Sequence, residues 1–228
     1  MRLNVTQWPS RRWARSEVLG AVVGRLVRTA VPILLGCPAF SLEELRGLGA
    51  AAAATGGVAL YHVDGVTPEA GMWKGAATEE LPSLDITPKD LEEQARRAAP
   101  GGEVELVVLG CPHLNLDELI EVANWLDGRT VKEDVEFWIF SGHSTLTEAQ
   151  RLGVHKTLED AGARLFSGTC MVVSPSMTRF SDVLTDSMKA WHYLPTMIGS
   201  RAASLSRRSC VEAAVAGIGG ALTMEGLA

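Results

Sequence analysis

The sequence predicts an α/β protein built on a mostly parallel sheet, and three observations predict it. Short apolar runs at 58–63, 104–109, 135–140 and 163–166 alternate with segments of helical period at 42–54, 116–126 and 145–161, the pattern of repeated βαβ units. Right-handed crossovers then place every strand exit on one edge of the sheet. The residues best suited to chemistry sit at those exits, where ligands bind in open α/β sheets.

The elements follow in order. Trp8-Pro9 and an Arg-rich patch precede Val18, Val22, Val23, Leu26 and Val27, whose spacing predicts a helix. No strand is expected before it, so the sheet is expected to start later, and the abrupt opening is read as a sign of sequence upstream. Ser41-Leu42-Glu43-Glu44 is a capping box that opens an alanine-rich helix, closed by Gly56-Gly57. The strand at 58–63 leaves through His62, Asp64, Gly65, Thr67, Pro68 and Glu69. Thr87-Pro88 caps and starts a further helix, which Pro100-Gly101-Gly102 stops. Two more βα units follow, then the strand at 163–166. The tail holds Thr185 to Tyr193, a Gly-Ser loop and a short last helix from Cys210. A single α/β domain over 1–228 is expected.

Composition narrows the function. With 228 residues, 46% hydrophobic and 21% charged, the chain is long and apolar enough to build a sizeable core. The net charge of −6 leaves no broad basic field, and Arg11-Arg12 and Arg207-Arg208 are too short to grip nucleic acid. A small polar substrate fits better. The longest apolar stretch, 48–60, is broken by Thr55-Gly56-Gly57, so no membrane span is expected. Cys37, Cys111, Cys170 and Cys210 read as reduced thiols of a cytoplasmic protein rather than a disulfide framework. No Gly-x-Gly-x-x-Gly follows a strand, which argues against a dinucleotide site.

Gly110-Cys111-Pro112-His113 ends one apolar run and Gly168-Thr169-Cys170 follows another. A free cysteine is usually a small hydrophobe, yet thiolates at strand exits, near helix amides, also suit zinc or iron–sulfur ligation. Two are too few for a closed zinc site, so a third ligand must come from elsewhere; Cys37 in Gly36-Cys37-Pro38 is one candidate. Cys210 reads as packing. His113 either closes the turn by hydrogen bonding or contacts substrate. His62, Thr67 and Glu69 form a second polar cluster that a solvated turn also explains. Ser187 and Lys189 suit an anionic carboxylate or phosphate, with a charged helix face as the plainer reading. His143 and His155 read as surface residues.

These strings together resemble the large-subunit portion of aconitase X, a branch of the aconitase superfamily. The resemblance lies in Val58-Ala59-Leu60-Tyr61-His62-Val63-Asp64-Gly65-Val66-Thr67-Pro68-Glu69-Ala70, in Leu106 through His113, and in Gly162-Ala163-Arg164 through Thr169-Cys170-Met171-Val172-Val173. Asp186-Ser187-Met188-Lys189-Ala190 resembles the family's Asn-Ser-x-Lys-Ala segment, and Cys210-Val211-Glu212-Ala213-Ala214 its closing helix. The chain departs from the family at Asp186 and at Ser141-Gly142-His143, where the family tends to show Ser-Arg.

The resemblance implies an aconitase-superfamily-like fold and a hydro-lyase acting on a small hydroxy acid of phosphomevalonate or 3-hydroxyproline type. It implies that Cys111 and Cys170 ligate an iron–sulfur cluster or iron, and that Ser187, Lys189 and His113 act in catalysis. His62, Thr67 and Glu69 would then bind substrate. The third ligand is expected from a cysteine-bearing N-terminal half outside these 228 residues, and a swivelling small domain or subunit is expected to contribute a serine base. The alternative is an inactive interaction module of the same fold.

Overall fold

The structure, a computed structural model, describes residues 1–11, 13–73, 79–100, 103–126 and 128–217. Arg12 of the first basic pair, the stop signal Gly101-Gly102 and the tail beyond 217 lie outside the described residues. Where one domain over 1–228 was expected, the described residues divide into two compact units, 1–97 and 98–217. Each has its own sheet, and every strand pair in both is parallel.

The first unit holds β1 (Arg2–Val5), β2 (Ile33–Leu35), β3 (His62–Val63) and β4 (Ser83–Ile86) in the order β3-β2-β1-β4. The expectation that no strand precedes the first helix is corrected here, because β1 is an inner strand paired on both sides. Its four residues, two of them the polar Arg2 and Asn4, are too few to show a period. β3 is shorter than the predicted 58–63. Its partner β2 has three residues and offers only Ile33 and Leu34 for pairing, with Pro32 accepting from the His62 amide, so 58–61 have no ladder to join.

Helices α1 (Ser16–Val27), α2 (Leu42–Gly56) and α3 (Pro88–Arg97) complete this unit. The Ser41–Glu44 capping box forms as read, and Gly57 closes α2 in the left-handed region. Thr87 and Asp90 make the corresponding exchange ahead of α3. Helices α1 and α2 meet through glycines: a Cβ on Gly56 would stand 1.9 Å from the Gly24 carbonyl oxygen, and one on Gly20 would stand 2.2 Å from that of Leu48. Of the predicted core face of α1, Val18, Val22, Val23 and Val27 are buried while Leu26 is exposed.

The second unit holds β5 (Leu106–Leu114), β6 (Glu136–Ser141), β7 (Ala163–Phe166), β8 (Asp182–Thr185) and β9 (Arg201–Ser204) in the order β7-β6-β5-β8-β9. Its helices are α4 (Leu116–Leu126), α5 (His143–Arg151), α6 (Val154–Asp160), α7 (Met188–Met197) and α8 (Arg207–Ala216). The single helix expected at 145–161 is two, because Gly153 takes φ 80° and turns the chain between α5 and α6. Both sheet faces are covered, which is why the central strands β5 and β6 carry near-continuous apolar runs at 106–109 and 137–140. Val107, Leu109, Phe137 and Ile139 pack under one layer, while Leu106, Val108, Trp138 and Phe140 pack under the other.

Strand order decides where a site can form. The chain steps outward from β5 through β6 to β7, then returns to lay β8 on the free side of β5. The β5–β8 junction is therefore the switch point of a doubly wound sheet, where the two exits diverge and leave a crevice.

Candidate functional site

β5 carries its apolar run straight into Gly110-Cys111-Pro112-His113. Its ladder with β8 ends at Val108–Thr185, and its register with β6 shifts between Leu109 and Leu114, so the thiol is presented where regular pairing gives way. Gly110 has φ 101° and lies so close to β6 that a Cβ would stand 2.1 Å from the Phe140 carbonyl oxygen. The strain and the clash fall on backbone that cannot yield. Gly110→Ala is expected to cost about 3 kcal/mol, measured as a shift in the urea unfolding midpoint.

Cys170 comes from a different exit. Four residues past β7, it lies in the loop that brings it back across β6, where it packs against the cluster that contains Cys111 and lies close enough for the two thiols to influence each other's ionisation. Two anchors hold this loop: His113 Nε2 donates to the Thr169 carbonyl at 2.9 Å, and the Val172 amide donates to Cys170 Sγ at 3.4 Å. Cys111 is 5% exposed, whereas Cys170 is half-buried and reachable from outside.

The β8 exit supplies the third side of the pocket. Ser187 is buried and caps α7, its Oγ accepting from the Ala190 amide at 3.1 Å, and it lies close enough to Cys111 to favour that sulfur's ionised form. The half-buried Lys189 places a positive charge near both sulfurs.

The pair shares a proton unequally. Cys111 is pushed well above the usual thiol range, first by its hydrogen bond to Cys170 and then by burial, against the pull of Lys189 and Ser187. Cys170 is held well below it, first by the Cys111 hydrogen bond, with the Val172 amide, Lys189 and His113 assisting against desolvation. The two titrate as a pair in which Cys170 is the sulfur that ionises first.

Soft sulfur donors of this kind suit iron or an iron–sulfur cluster. No group of three or more His, Cys, Asp or Glu side chains able to hold a metal occurs among the described residues. Among the described residues the second unit therefore offers two sulfur donors and no third ligand grouped with them.

Cys111, Cys170, His113, Ser187 and Lys189 all come together in the second unit. The other predicted residues belong to the first, at the exit of its edge strand β3. There Thr67 Oγ1 accepts from the Val63 amide at 3.0 Å and donates to the Val63 carbonyl, and Glu69 is exposed on the 3-10 turn Pro68–Trp73. His62 is 6% exposed beside Trp73, and its Nδ1 has no hydrogen-bond partner among the described residues. Cys37 follows β2, a strand the sequence reading missed, and burial pushes its thiol up to about 12. Cys210 is packed in the core as expected.

Three site-edge residues escaped the sequence reading: Glu118, Asp186 as an ion-pair partner, and Arg207. The first was readable, because Asn115-x-x-Glu118 ahead of an apolar run is a capping signature, and the reciprocal bonds form at 2.8 Å each. Arg207 looked like half of a surface basic pair.

Comparison with known proteins now bears on this geometry. Two family models match the chain, the aconitase X second domain over residues 3–96 and the aconitase X third domain over residues 104–216. The chain belongs to the aconitase X family. It is 38% identical over 200 residues to the phosphomevalonate dehydratase large subunit of Methanosarcina mazei, covering 87% of this chain and 48% of that protein. It is 32% identical over 208 residues to the cis-3-hydroxy-L-proline dehydratase of Pseudomonas aeruginosa, covering 87% of this chain and 36% of that protein. The crystal structure of Thermococcus kodakaraensis aconitase X in its holo-form superposes with a TM-score of 0.84 at 26% identity, over 93% of this chain and 54% of that one. The chain thus spans about half the length, or less, of the aconitase X relatives it matches. Both domain assignments agree with the two units seen in the fold.

Proposed function

We propose that this chain supplies the second and third domains of an aconitase X-type hydro-lyase, which removes water from a small anionic hydroxy acid with the help of an iron–sulfur cluster or iron. The observation that carries the reading is the Cys111–Cys170 contact at the switch point, with Lys189 beside both sulfurs. Cys111 and Cys170 would be two of the ligands, and the third would come from a cysteine outside this chain. When bound, the metal supplies Lewis acidity toward the departing hydroxyl.

The chain's own residues do the rest. Lys189 holds the substrate's carboxylate or phosphate as a point charge. Ser187 fixes the first turn of α7, and with it the direction of Lys189. His113 holds the Cys170 loop through Thr169, which makes it a positioning residue rather than a proton carrier through Nε2. In the first unit, His62, Thr67 and Glu69 would be the substrate-binding residues, with Thr67 Oγ1 also engaged within its own turn. A relative named as a large subunit supports a small-subunit partner, which would bring the base that takes the adjacent proton. Four free cysteines support a cytoplasmic setting.

The test is a dehydratase assay on the iron-reconstituted assembly of this chain with the small subunit and the cysteine-bearing half, offered phosphomevalonate and cis-3-hydroxy-L-proline separately. Loss of water from one of the two is the expected result. An assembly that carries iron yet turns over neither would contradict the reading and leave a non-catalytic module.

A further inference from the structure

Arg207 stands in the first turn of α8, just past the exit of β9. Its Nε donates to Asp186 Oδ2 at 2.9 Å and its Nη2 to Glu118 Oε1 at 2.8 Å. Both carboxylates are buried, Asp186 being 7% and Glu118 4% exposed.

Each carboxylate belongs to a turn that carries the site. Asp186 immediately precedes Ser187 and Lys189. Glu118 closes the capping box with Asn115, which fixes the segment leaving Cys111 and His113. These two exits need a tie of their own, since the β5–β8 ladder stops at Val108–Thr185 and no longer holds 109–114 against 186–189.

We infer that Arg207 is a positioning residue whose guanidinium clamps the β5 exit to the β8 exit and so sets Lys189 and Ser187 against Cys111. A planar fork reaches two carboxylates along different edges, which a lysine ammonium on its single flexible stem does not reproduce. Both buried carboxylates form ion pairs with that cation, and removing one member of a buried pair is costly. The consequence for turnover rests on the hydro-lyase reading above; the clamp itself is a property of this chain.

Amide hydrogen exchange on the full chain tests it, comparing wild type with Arg207→Lys, which keeps the charge. The expected result is exchange about tenfold or more faster at the amides of Asn115, Glu118, Ser187 and Ala190 together, while those of Val107 to Leu109 in the core keep their protection. Faster exchange confined to α8, or spread evenly over the unit, would overturn the clamp. Arg207→Met is the stronger variant; if it fails to fold, Arg207→Lys still decides. In the iron-loaded assembly, Arg207→Lys is expected to raise KM about tenfold with a smaller effect on kcat, because the displaced Lys189 is the group that holds the substrate's anion, and an unaltered KM would overturn the positioning role. An assembly without turnover even as wild type refutes the dehydratase reading, and the exchange experiment then judges the clamp by itself.

Discussion

Cys111→Ala is expected to slow alkylation of Cys170 by iodoacetamide at pH 6 by about tenfold or more in the iron-free chain. The reason is the division of one proton between two sulfurs. The Cys111 thiol is the largest influence holding Cys170 as a thiolate, ahead of the Val172 amide and the charges of Lys189 and His113. Without that donor, desolvation is opposed by the smaller influences alone, and the Cys170 thiol moves back toward its ordinary value of 9.0. The thiolate fraction at pH 6 then falls steeply, and the gain in intrinsic nucleophilicity that accompanies a higher pKa offsets only part of it. Lys189→Met should act in the same direction with a smaller effect. Peptide mapping of alkylated Cys170 over pH 5 to 9 checks both, and a Cys170 that reacts at the wild-type rate in Cys111→Ala would show that the sulfurs do not share a proton.

Metal uptake by the same pair is expected to release one proton. Between the lowered value of Cys170 and the raised value of Cys111, the free site holds one thiolate and one thiol, whereas a metal held by both sulfurs needs two thiolates. Apparent affinity for Co²⁺ or Zn²⁺ therefore rises about tenfold per pH unit across the neutral range, because the metal competes with a single proton. The sign follows from Cys111: its raised value means protons oppose binding, so lowering the pH weakens the complex. Calorimetric titration in two buffers of different ionisation heat gives the proton count. A slope near zero would mean that both sulfurs are already ionised, and a slope near two that neither is.

The sequence revealed strands where apolar residues run long enough to be seen. β5, α4, β6 and β7 fall within a residue or two of their predicted ends, apart from the extension of β5 through the irregular Gly110–Leu114 stretch. The missed strands β1, β2, β4, β8 and β9 have three or four residues each, too few for periodicity, and they are strands because partners pair with them. Sheet order was equally hidden, so the switch point at β5–β8 could not be read from the chain. The site was legible as residue types: Cys111 and Cys170 stood out at two exits. That the loop after β7 crosses back to join them, and that His113 ties it there through Thr169, depends on tertiary packing. Arg207, Asp186 and Glu118 come from three separate segments, and only the fold makes them neighbours.

Iron and acid-labile sulfide analysis of the anaerobically reconstituted assembly tests the shared centre most directly. The wild-type assembly is expected to retain iron after desalting, while Cys111→Ser and Cys170→Ser each lose most of it and give assemblies of unchanged size and helix content. Iron that stays at the wild-type level in both variants would contradict the assignment of these two sulfurs to one metal.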